Sequence, residues 1–118
     1  MYSPEFVDHF QNPRNVGDLE SPSVVVEVDN PVCGDRLRIS ANINNGVITA
    51  VRYKMRGCAA SIAAGSALAD WLENKSEDEL KKFEPGVIEL ALGGLANESK
   101  HVALLCGDGV KALLGKLA

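Results

Sequence analysis

The chain lacks most of the features that announce a function directly. No apolar run approaches the ~18 residues of a membrane span, so no span is expected. The first residues, Met1-Tyr2-Ser3-Pro4-Glu5, have no basic stretch followed by an apolar one, so no signal peptide is expected. Basic residues are outnumbered, 12 against 16 acids, and the net charge of −4 argues against nucleic acid as the main partner. The glycine pairs carry no P-loop lysine: neither Gly93-Gly94 nor Gly107-Asp108-Gly109 is a phosphate loop. There is no Cys-x-x-Cys pair, and the 3 cysteines are an odd number with no secretory context. That combination points to a reducing, cytoplasmic compartment with thiols free or metal-bound.

What is present is an ordinary single-domain composition. The 118 residues, 46% hydrophobic and 24% charged, suit one soluble domain spanning 1–118, long enough to bury a core without disulfides.

Local pattern divides the chain into strands followed by helices. Ser3-Pro4-Glu5 reads as an N-cap with proline at the first helical position, and Phe6, Val7 and Phe10 supply an apolar stripe. Asn12-Pro13-Arg14-Asn15-Val16-Gly17 ends that helix with turn chemistry. Val24, Val26 and Val28 alternate with Val25, Glu27 and Asp29, predicting a first strand. Leu37, Ile39, Ala41 and Ile43 alternate with Arg36, Arg38, Ser40 and Asn42, predicting a second. Asn44-Asn45-Gly46 is a hairpin signal. A third strand follows, with Val47, Thr49, Val51, Tyr53 and Met55 expected on one face. Ile48, Ala50, Arg52, Lys54 and Arg56 are expected on the other.

Helices are predicted over 59–73, after the Ser76/Glu79 capping box, around Val87 to Leu92 between Pro85-Gly86 and Gly93-Gly94, and from about Lys100 to Leu117. The expected fold is α+β: a three-stranded antiparallel sheet with helices packed on one face.

The residues that carry chemistry are soft donors at long separations. Cys33-Gly34-Asp35 lies in the bend between the first two strands, and Gly57-Cys58 joins the third strand to a helix. A helix N-terminus favours negative charge, so a thiolate at Cys58 is a competent ligand or nucleophile. His101 opens the last helix. Thiolate, imidazole and carboxylate are the donors of zinc and iron–sulfur sites, and here only tertiary folding brings them together. Cys106 joins Val110, Leu113 and Leu117 at core spacing, which reads as a buried cysteine. On the sheet, Arg36, Arg38, Arg52, Lys54 and Arg56 form either a solvated face or a docking surface for an acidic partner.

Three blocks in order, Asn12 to Gly17, Asn30-Pro31-Val32-Cys33-Gly34-Asp35 and Gly57-Cys58-Ala59-Ala60-Ser61-Ile62-Ala63, carry a family resemblance. From Met1 to about Leu114 the chain resembles the iron–sulfur cluster assembly scaffolds of the IscU and NifU N-terminal type. The resemblance implies a carrier, not an enzyme. It implies a labile [2Fe–2S] cluster, zinc or iron held by cysteines, sulfur supplied as persulfide by a cysteine desulfurase, and transfer to acceptor proteins with the help of chaperones. Carried over residue by residue, Cys33 and Cys58 match two ligand cysteines, and Asp35 matches the aspartate that keeps the cluster labile. The family's third cysteine directly follows a histidine or lysine at the start of the last helix. Here His101 takes the histidine's place and Val102 the cysteine's. A gapped register would make Cys106 the missing cofactor ligand; the match through Val110-Lys111-Ala112 favours the ungapped one. Cys33, Asp35, Cys58 and His101 would still complete a tetrahedral zinc shell. The proline pair that chaperones recognise in many such scaffolds is replaced by Asn97-Glu98-Ser99. The alternative is a divergent metal-free or zinc-only interaction module that has lost cluster assembly.

Overall fold

Two serines set the first turns of two helices in the computed structural model, which describes residues 2–31 and 34–117. Ser3 caps α1 (Pro4–Gln11) by accepting from the Phe6 N–H at 3.0 Å. Ser76 and Glu79 form a complete reciprocal box on α3 (Glu77–Leu80). Between them lie β1 (Val24–Asn30), β2 (Asp35–Asn44), β3 (Val47–Arg56) and α2 (Ala59–Leu72). After them come α4 (Pro85–Ala91), a 3-10 turn at Asn97–Ser99 and α5 (His101–Leu117). α4 begins at Pro85 itself, two residues before the expected start. The reason is that proline at a first helical position gives up an N–H that has no helical partner anyway.

The sheet is antiparallel in the order β1-β2-β3. Leu37, Ile39, Ala41, Val51 and Tyr53 turn inward and are buried under α2 and α5, as the alternation predicts. One stretch of β3 departs from it. The register steps from Asn42↔Ala50 to Ile43↔Ile48, so Thr49 is the extra residue of a bulge. Parity flips there: Ile48 is buried and Thr49 exposed, the reverse of strict alternation. The outer face is crossed by the connection from α1 to β1, whose Leu19 N–H donates to the buried Ser40 Oγ at 3.1 Å.

α2 lies close to the sheet because its contact face is made of alanine, serine and glycine. Gly65 touches the Tyr53 ring so closely that an added Cβ would overlap Cε2. The ring cannot easily retreat, since Tyr53 Oη donates to the Ile62 carbonyl at 3.0 Å. Gly65→Ala is therefore expected to destabilise the fold by ~1–3 kcal/mol through overpacking. Urea denaturation checks this, with the midpoint falling and the slope unchanged.

Candidate metal site

The site is assembled at one end of the sheet, where β2 starts and β3 stops. Asp35, the first residue of β2, is only 4% exposed. A carboxylate that deep requires a partner, and it has one: His101 Nε2 lies 3.1 Å from Asp35 Oδ2. With the carboxylate accepting, Nε2 donates, and Nδ1 is the ring nitrogen on the side away from Asp35. A histidine oriented through one nitrogen by a carboxylate is the usual state of an imidazole metal ligand. The two partners are far apart in sequence, and packing of α5 against β1 and β2 brings them together.

Gly57 makes room for this pair. Its φ is +156°, and an added Cβ would overlap Asp35 Oδ1 and stand 2.7 Å from Ser61 Oγ. Glycine is thus required twice, by conformation and by the carboxylate against its Cα. Cys58 follows as the N-cap residue of α2, with extended backbone (φ −77°, ψ 178°), and is exposed. Its Sγ lies 3.4 Å from Ser61 Oγ. Cys58 and His101 both line an open cleft of about 750 Å³, walled by Ala59, Ala60, Tyr2 and the 93–96 turn. Asp35 stands behind His101.

Cys33, the remaining expected ligand, lies outside the described residues. Its sequence neighbour Gly34 is tied to the end of β1 by a 2.7 Å hydrogen bond to the Asn30 carbonyl, and the next residue is Asp35. Among the described residues, no three His, Cys, Asp or Glu side chains stand together around one metal position. The donor set still suits a soft or borderline cation, with one exposed thiol, an imidazole held by a carboxylate, and a further cysteine two residues before Asp35 in the sequence.

Cys106 is not at this site, and its expectation as a cofactor ligand is corrected accordingly. It is 0% exposed, and its Sγ donates to the Ala64 carbonyl at 3.8 Å. Burial pushes its thiol up to about 12, so no thiolate forms there at neutral pH. The cause is helical: Val102 and Cys106 fall one turn apart on the stripe of α5 that faces the core, and Val102 is likewise fully buried. Cys106→Ser is accordingly expected to leave metal affinity unchanged. In the native protein Cys106 should resist an alkylating reagent that modifies Cys58, reacting only after denaturation; mass spectrometry of the labelled peptides checks this.

Ser61 is a site residue that the sequence reading missed. The signal was available: Cys58 and Ser61 stand at the N-cap and third positions of α2, the spacing at which capping partners meet. The basic strand face is largely paired. Arg38 reaches Asp18 (2.9 Å) and Glu27 (3.2 Å), and Lys54 reaches Asp18 at 3.0 Å.

A sheet of three antiparallel strands under two helices, with a thiol and a carboxylate-held imidazole facing one open cleft, defines a small α+β domain with two candidate metal donors on one cleft. Residues 1–117 match the NifU-like N terminal domain model, and the chain belongs to that family. It is 38% identical over 111 residues to the iron–sulfur cluster assembly scaffold protein IscU 1 of Archaeoglobus fulgidus, covering 94% of this chain and 72% of that protein. Against the iron–sulfur cluster assembly scaffold protein IscU of Escherichia coli K12 it is 33% identical over 117 residues, covering 96% and 91%. The crystal structure of a nitrogen-fixing NifU-like protein (N-terminal) from Brucella abortus superposes with a TM-score of 0.64 at 21% identity, covering 98% of this chain and 81% of that one. That likeness concerns the fold. Among the described residues, no helix is long and apolar enough to cross a membrane.

Proposed function

We propose that this chain is an iron–sulfur cluster assembly scaffold that carries its cargo at the cleft and passes it to acceptor proteins. The observation that supports this best is the meeting of Cys58 and His101 on one open cleft, with Asp35 hydrogen-bonded behind the imidazole. The cargo is a labile [2Fe–2S] cluster, or iron or zinc. Cys33 and Cys58 act as thiolate ligands and His101 as a nitrogen ligand, and Asp35 becomes a weak ligand that promotes release when it exchanges its hydrogen bond to the imidazole for the metal. Mixed donors and an open cleft favour transfer over retention, because enclosed all-thiolate sites hold metal tightly. The protein performs no turnover chemistry. A cytoplasmic cysteine desulfurase supplies sulfur, and chaperones assist transfer.

A second reading, zinc binding without cluster assembly, is favoured by one observation. Val102 has no thiol and Cys106 is fully buried, so neither adds a third thiolate to the cleft. Two thiolates, an imidazole and either a water or the Asp35 carboxylate released from the imidazole complete a tetrahedral zinc shell, whereas clusters prefer thiolates. Anaerobic reconstitution with ferrous iron and sulfide separates the two. Charge-transfer bands at roughly 320–420 nm support the scaffold. Zinc as the sole bound metal, with no such bands, supports the second reading; neither metal nor bands contradicts both.

A further inference from the structure

On the outer face of the sheet two rungs set cations opposite each other, and only one of them is neutralised. Cross-strand register places Glu27, Arg38 and Lys54 in one row and Asp29, Arg36 and Arg56 in the next. Each row thus sets two cations directly opposite each other on β2 and β3, an arrangement that destabilises an antiparallel pair. The Arg38/Lys54 row is neutralised from both sides: Glu27 meets Arg38 at 3.2 Å, and Asp18 bridges Arg38 and Lys54 at 2.9 and 3.0 Å. The Arg36/Arg56 row has only Asp29, 3.9 Å from Arg36, with both side chains more than half exposed (55% and 59%). Among the described residues no carboxylate pairs with Arg56. Among the described residues, no carboxylate bridges this row as Asp18 bridges the other.

We propose that the Arg36/Arg56 row docks an acidic segment of a partner protein, one carboxylate of which takes the bridging position that Asp18 holds one rung away. Guanidinium groups suit this occupant, since they bind carboxylate bidentately and keep their charge at any working pH. The surrounding surface is a shallow depression of about 300 Å³ lined also by Glu27, Arg38 and Lys54, and Glu27 is already engaged by Arg38. Nucleic acid and anionic membranes fit poorly, because both draw on many spread cations. This chain carries a net −4, and two of the four cations on these rows are already neutralised.

The row lies beside the site. Arg36 follows Asp35 and Arg56 precedes Gly57-Cys58, so a partner held there is brought to the cleft end of the sheet. In that respect the proposal builds on the scaffold reading, but its test uses the metal-free chain, so each can fail alone.

The probe is a short end-blocked peptide alternating glutamate and glycine, titrated into the isotope-labelled full chain at low salt. Controls are the lysine counterpart, a thymidine oligonucleotide and phosphatidylserine vesicles. Amide shifts confined to residues 36–38 and 54–56, for the acidic peptide alone, are expected. Arg36→Gln/Arg56→Gln should weaken binding at least about tenfold, since it removes both charge-assisted partners of the bridging carboxylate, while Lys116→Gln leaves it unchanged. Thermal unfolding supplies an independent reading. Arg56→Gln should raise the melting temperature of the free protein by about 1–3 °C at low salt, with the gain fading as salt rises. Peptide binding that survives the double substitution, stronger binding of oligonucleotide or vesicle, or a lowered melting temperature in Arg56→Gln would each overturn the proposal.

Discussion

Cys58→Ser is expected to weaken zinc binding sharply and to end cluster retention while leaving the fold intact. Serine is nearly isosteric but offers a hydroxyl in place of a thiolate, and a hard, protonated oxygen is a poor donor to zinc or iron–sulfur cargo. The thiol is exposed at the start of α2, so no core packing is lost with it. Its hydrogen-bonding neighbour Ser61 accepts a hydroxyl as readily as a thiol. The expected change in folding stability is therefore within about 0.5 kcal/mol. The expected loss in zinc affinity is about 100-fold or more, beyond what loss of an outer-shell partner alone produces. Competition with a chromophoric chelator measures the affinity, and urea denaturation the stability. An unchanged affinity would remove Cys58 from the site.

Gly57→Val is expected to damage both site and fold. Its Cβ would overlap Asp35 Oδ1 and would stand 2.7 and 2.9 Å from Oγ and Cβ of Ser61. Ser61 is fully buried in the first turns of α2, so it cannot simply rotate away. The start of the helix must move, and Cys58 moves with it, away from His101. A β-branched side chain is also strained at φ +156°. We expect a stability loss of ~1–3 kcal/mol and a fall in metal affinity of ~10–100-fold. Adding Asp35→Ala removes one of the two clashing groups. The double variant should thus recover part of the lost stability, a non-additivity expected only of residues in contact. Strict additivity would show that Gly57 and Asp35 do not share the space described.

Much of the fold was legible because it rests on local signals. Ser3-Pro4 and the Ser76/Glu79 box start helices where they stand, and valine alternation lays out β1. The bulge at Thr49 was not legible, since which residue is extra depends on how β3 pairs with β2. That one inserted residue reversed the faces assigned to Ile48 and Thr49. Asp35, Cys58 and His101 could be picked out by chemistry and by family blocks. The hydrogen bond between Asp35 and His101, and the glycine that makes room for it, follow from packing that no local window contains. Cys106 shows the reverse: helical period alone places it with Val110 and Leu113, and the structure finds all three buried.

X-ray absorption at the zinc edge of the loaded protein tests most directly whether these donors share one metal. Two sulfurs at about 2.3 Å with two nitrogen or oxygen neighbours at about 2.0–2.1 Å is the predicted shell, falling to one sulfur in Cys58→Ser. A shell of oxygens alone, or one unchanged by that substitution, would contradict it.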